Sequence, residues 1–217
     1  SAASDVYKRQ ILYTDADLST HLGQSGLLME GILNQGYHAV IGSRREAASV
    51  VVKQGVRNDR GKLFIYLWKR LFALLDGIVD TQCGFKAFRG DLVPGLVEGM
   101  LEKKFAFDIE LLIRTQKNRP GSILKVPVAW LDSEALSTTT DLQPYLPMLQ
   151  AMVGMYIYYL EADETADAFA SFIEALDEDS WSRLVENIPE AITKREPAQF
   201  GGFSDVAADD LRKAAAI

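Results

Sequence analysis

With 217 residues, 48% hydrophobic and 24% charged, the chain is long enough for one good core plus an appendage and too apolar to be disordered. A single cysteine, Cys83, excludes an internal disulfide, and His21 and His38 have no Cys or His neighbour at zinc spacing. The net charge of −7 is unevenly spread: residues 1–160 hold 18 basic and 16 acidic side chains, whereas residues 161–217 hold 5 and 14, which marks a compositionally separate acidic piece.

Residues 1–10 are polar, lack a starting methionine and read as a non-native or linker-like start. Ile11, Leu12 and Tyr13 predict a short buried strand that stops at Asp15 and Asp17. Side chains two apart on an extended backbone point the same way. The two carboxylates can therefore offer oxygens to one hard cation at the carboxyl end of a strand, where open α/β sheets bind ligands. An ion held by one or two carboxylates keeps positions for water and phosphate oxygens. Mg²⁺ or Mn²⁺ on a nucleoside diphosphate fits that donor set, although a solvated acidic turn would carry the same triplet.

A helix is expected over residues 21–36 and a buried strand over 37–42, ending in Gly42-Ser43-Arg44-Arg45. Residues 46–60 read as a polar loop. Over 61–78, Leu63, Phe64, Leu67, Trp68, Leu71, Phe72 and Leu75 form one stripe at helical spacing. Residues 80–89 look irregular around Gly84. Helices follow at 91–101 and from 105, the latter with Asp108 and Glu110 in its first turns, and then a strand at 122–130. Pro127 places that strand at an edge or at the end of pairing. A polar loop at 132–140 leads to an amphipathic helix at 143–160. Acidic helices are expected at 162–176, around Trp181, and at 205–215 behind Ser204 as cap. No run reaches the ~18 apolar residues of a membrane span. The stripe at 61–78 and the helix at 143–160 read as core, or as faces resting on a bilayer. Residues 44–89 hold 10 basic and 4 acidic side chains, which suits an anionic ligand or an anionic membrane surface.

Four motifs carry a family resemblance: D-A-D-L-S at 15–19, G-S-R at 42–44, D-T-Q-C-G-F-K-A-F at 80–88 and F-D-I-E-L-L at 107–112. A fifth stretch, K-V-P-V-A-W, ends at Trp130. In this order they resemble the family 2 glycosyltransferases, most closely the branch that glycosylates polyprenyl phosphate (dolichyl-phosphate glucosyltransferases and dolichol-phosphate mannose synthases). The resemblance implies an α/β fold: the later two-thirds of a GT-A domain, Rossmann-like and three-layered, over residues 11–160. The family's first strands have no counterpart, and the acidic helical extension at 161–217 matches nothing in it.

The implied reaction is inverting transfer of a hexose from a UDP-glucose or GDP-mannose type of donor to a polyprenyl phosphate. It would run peripherally on the cytosolic face of a membrane, with no nucleic-acid partner. The ion is assigned to Asp17 first and Asp15 second, with Asp15 also near the sugar or ribose. Arg44 is assigned to the diphosphate or the acceptor phosphate, because a guanidinium matches phosphate bidentately. Gly84 marks a close approach of backbone to substrate, and Lys86 and Arg89 are expected to face the acceptor phosphate. Asp108 is the family's candidate base. A phosphate monoester, with a second pKa of about 6, needs no strong base, so Asp108 orients the sugar instead if the acceptor is one. A saccharide acceptor, a nucleotidyltransferase and an inactive interaction module are the competing expectations.

Overall fold

The computed structural model describes residues 10–52, 58–131, 145–201 and 205–217. Nearly all of the expected linker-like start, the loop at 132–140 and the Ser204 cap lie outside the described residues. In chain order the elements are β1 (Gln10–Thr14), α1 (Ser25–Leu33), β2 (Ala39–Ser43), β3 (Val50–Val52) and α2 (Asn58–Leu71). Next come β4 (Phe85–Arg89), α3 (Val93–Val97), α4 (Phe107–Asn118), β5 (Ile123–Pro127) and β6 (Ala129–Leu131). The last are α5 (Tyr145–Tyr159), α6 (Glu164–Glu174), α7 (Glu178–Glu186), α8 (Glu190–Thr193) and α9 (Ala208–Ala215).

These residues form two compact units. The first gathers Ser1–Gly55, Asp80–Lys103 and Phe107–Asp141, and the second gathers Val56–Val79, Lys104–Ala106 and Leu142–Ile217. In the first unit four strands pair in the order β1-β4-β2-β5. β1, β2 and β5 share one direction, and β4 runs against its two neighbours. On one face Leu28 and Ile32 of α1 pack on Val40, Phe85, Ala87 and Val126. On the other, Leu96 of α3 and Leu111 of α4 pack on Ala39 and Phe88. The result is a three-layer α/β/α arrangement, as expected for part of a GT-A domain. Gly31 lets α1 lie close on the sheet, since a Cβ there would stand 2.7 Å from Val40 Cγ2 and 2.8 Å from Leu124 Cδ2.

Several elements differ from expectation. Residues 85–89, expected as irregular, form a central strand; the charged Lys86 hides its alternation because its partner is remote in sequence. The strand at 122–130 is two strands, with Pro127 ending the pairing of the edge strand β5 with β2. β6 then pairs in parallel with β3 inside the expected polar loop. The helix at 91–101 shortens to α3. The last helix begins at Ala208, behind Ala207.

In the second unit the stripe of α2 is core: Leu63, Leu67 and Trp68 are fully buried. α2 packs against α5, α6 and α8. Its Phe64 ring lies 5.1 Å from that of Tyr145, and its Lys62 Nζ donates to the Thr193 carbonyl at 2.7 Å. Asp163 caps α6, and Asp177 with Ser180 forms a capping box on α7. At the end of α5, Ile157 and Tyr158 remain exposed.

Candidate active site

The site builds on the carboxyl ends of β1 and β2 and the start of β4. The Asp15 N–H donates to the Gly84 carbonyl at 2.8 Å, extending the β1–β4 ladder by one step. Beyond it the chain turns. Leu18 takes φ 57°, and Asp17 accepts the Ser19 N–H at 2.9 Å. Asp15 and Asp17 therefore do not share an extended strand; a turn brings them together. Ser19 and Thr20 tie this turn to β6, through Leu131 N–H to the Ser19 carbonyl at 2.9 Å and a bridge from Thr20 to Trp130.

A Cβ on Gly84 would overlap the Asp15 carboxylate. The close approach expected at Gly84 is thus made by Asp15, which lies over the bare Cα. Desolvation and then the neighbouring Asp17 raise the Asp15 pKa above the ordinary carboxylate value.

Arg44 follows β2 and is committed to Asp80. Its backbone N–H and its Nε donate to Asp80 Oδ2 at 2.8 and 2.7 Å, and its Nη2 donates to Oδ1 at 2.7 Å. Its guanidinium lies 5.3 Å from the Trp130 ring centroid. Burial works against the Asp80 charge, but Arg44 overrides it and holds the pKa at about 2. The fork that the sequence assigned to phosphate is therefore spent on Asp80, though a quarter of the Arg44 side chain, 26%, stays exposed.

Lys86 is fully buried, so it does not face an acceptor phosphate as expected. Its Nζ donates to the Cys83 carbonyl at 2.6 Å and to Asp108 Oδ1 at 2.7 Å. The Tyr13 hydroxyl donates to the same oxygen. Burial drives the Asp108 carboxyl up to about 8 and the Lys86 ammonium down to about 8. Each charge opposes the loss of the other, so the pair titrates as one. We assign the ion pair, because the Lys86 ammonium donates to Oδ1 at 2.7 Å, where its charge holds the carboxylate ionised.

Arg89 is not brought to this cluster. It sits at the other end of β4, opposite Gln10, and is spent on Asp91 at 2.6 Å. Glu110 is structural: its two oxygens accept the backbone N–H groups of Leu101 and Glu102 at 2.9 and 2.7 Å. Tyr13 and Asp80 were missed as site residues. Both were findable, since Tyr13 lies two residues before Asp15 and Asp80 opens the D-T-Q-C-G-F-K stretch.

Among the described residues, no three His, Cys, Asp or Glu side chains converge on a metal position. Asp15 and Asp17 still fit Mg²⁺ or Mn²⁺. They are neighbouring hard-oxygen donors whose mutual repulsion a cation relieves, and such an ion takes its remaining ligands from water and phosphate.

No family model matches the chain. Glycosyltransferase AglD of Haloferax volcanii is 31% identical over 121 residues, 55% of this chain and 19% of that protein. Two dolichyl-phosphate beta-glucosyltransferases of Trichomonas vaginalis are 27% identical over 134 residues (57% of this chain, 39% of theirs) and 30% identical over 155 residues (69% and 44%). The chain is a homologue of glycosyltransferases. The motif resemblance and these relatives agree. This glycosyltransferase homologue spans less than half the length of each of the three.

Proposed function

We propose that the chain is catalytic machinery of an inverting glycosyltransferase that moves a hexose from a nucleoside-diphosphate sugar to a polyprenyl phosphate. One observation carries it: stretches far apart in sequence place Asp15, Arg44, Asp80, Lys86 and Asp108 in one electrostatically coupled cluster at the carboxyl edge of the sheet. That edge is where α/β sheets bind ligands, and the relatives' names fit the assignment.

Asp17 and Asp15 would hold Mg²⁺ or Mn²⁺, whose charge offsets the negative charge developing on the leaving diphosphate. The exposed remainder of Arg44, fixed by Asp80 and Trp130, supplies a preorganised cation beside it. Asp108 orients the donor sugar. Lys86 and Tyr13 hold it by Oδ1, and a phosphate acceptor, with a second pKa of about 6, arrives largely ionised and needs no strong base. Among the described residues no helix is long and apolar enough to cross a membrane. A polyprenyl acceptor then calls for peripheral contact with the cytosolic leaflet, and the buried stripe of α2 is not the contact face.

Calorimetric titration with UDP-glucose and GDP-mannose, with and without Mn²⁺, tests the proposal. Metal-dependent binding of one of them is expected and would name the donor. Binding of neither, by a chain shown to be folded by circular dichroism, would overturn the reading.

A further inference from the structure

We propose that Tyr13 and Lys86 are positioning residues: they hold Asp108 by its Oδ1 and leave Oδ2 to accept a hydroxyl of the donor sugar. The inference rests on the glycosyl-transfer reading above. Tyr13 and Lys86 are cross-strand partners on β1 and β4, so their side chains leave the same face of the sheet. From there both donate to Oδ1 of Asp108, in the first turn of α4.

Two donors saturate one carboxylate oxygen, whose lone pairs number two. Neither donor is free to do anything else. Lys86 is fully buried and anchored a second time on the Cys83 carbonyl. The Tyr13 ring is clamped between Phe88, stacked at 6.3 Å, and Phe107 at 5.7 Å.

Glu110, in the same turn of α4, gives the contrast. Each of its oxygens takes a backbone N–H and its side chain is fully buried, as suits a carboxylate that only holds the fold together. For Asp108, no donor from the described residues is seen on Oδ2, and the side chain keeps 10% of its surface exposed. One oxygen is locked and the other is presented. An anionic oxygen repels the donor's phosphates and can only accept hydrogen bonds, and the donors that a hexose offers are its hydroxyls, so the ligand group it takes is a sugar O–H in a charge-assisted bond.

The test measures affinity by calorimetry in Mn²⁺ for two ligands, the sugar nucleotide that the chain binds and the matching nucleoside diphosphate without its hexose. The variants are Tyr13→Phe, which keeps the packed ring, and Lys86→Met, which keeps the stem. Both should bind the sugar nucleotide about tenfold more weakly; for Tyr13→Phe, which keeps every charge of the site, the bare diphosphate should bind within about twofold of wild type. In an Asp108→Asn background, Tyr13→Phe should add no further loss, because the two act through one oxygen. Equal loss for both ligands in Tyr13→Phe, or additive loss in the double variant, would show a merely structural role and sink the proposal. A wild-type chain that binds neither ligand would instead overturn the glycosyl-transfer reading, and this inference with it.

Discussion

The two faces of the four-stranded sheet solve different problems with the same strands. Under α1 the contact is apolar throughout: Leu28, Ile32, Val40, Phe85 and Ala87, packed closely enough that Gly31 cannot carry a Cβ without displacing its neighbours. Under α3 and α4 the same strands bury an ion pair that the Tyr13 hydroxyl joins. The first face is cohesive, because burial of apolar area is non-directional and tolerates any well-packed arrangement. The second is directional. Each buried charge has named partners, and losing one leaves the other uncompensated. Stability should therefore concentrate on the α1 face, and ligand specificity on the other face and at the carboxyl edge.

That contrast can be broken most directly at Leu28, which is fully buried. Leu28→Ala should cost about 2–5 kcal/mol of unfolding free energy in urea titration. Nucleotide affinity of the folded fraction should stay unchanged. A specific loss of affinity at unchanged stability would erase the division between the faces.

Asp80 should behave differently, because its contribution titrates. Its folded-state pKa, about 2, lies below the ordinary value of 3.8. The stabilisation is therefore full above about pH 4 and is lost as pH falls through about 2. Asp80→Asn should be less stable by about 2 kcal/mol near pH 6 and should show a flatter acid limb than the wild type. Parallel acid limbs for the two proteins would remove the Arg44–Asp80 pair from the account.

The smallest effect on the fold, and the sharpest on the site, is expected at Gly84. A methyl group there meets the end of the Asp15 side chain rather than backbone, so the carboxylate can swing away. Gly84→Ala should change unfolding free energy by less than about 1 kcal/mol. Metal-dependent nucleotide affinity should fall about tenfold, equivalent to about 1.4 kcal/mol. Unchanged affinity would mean that the Asp15 position does not matter to the ligand.

What could be read beforehand divides along the same line. Part of the α1 face is written in local pattern, since the apolar run of β2 and the spacing of α1 need no partner to be recognised, whereas its Phe85 and Ala87 come from β4, which reads as irregular. The polar face is not written that way. Lys86 reads as an interruption in a strand until Asp108, 22 residues on, is seen beside it. Arg44 reads as a free phosphate ligand until Asp80, 36 residues on, takes its fork. Arg89 directly follows the D-T-Q-C-G-F-K-A-F motif, yet strand length carries it to the far end of β4, opposite Gln10.

The sequence by itself determined the strands β1 and β2, the helices α1, α2 and α4, the acidic pair Asp15 and Asp17, the apolar stripe of α2 and the order of the family motifs. These are local properties, set by periodicity, turn chemistry and residue identity within a few positions. The tertiary structure alone decided which charges are spent on one another and which oxygen of Asp108 is left over. It also decided that the α2 stripe is core, packed on α5, α6 and α8. Such pairings depend on strand order and register, and no window of the chain contains both partners.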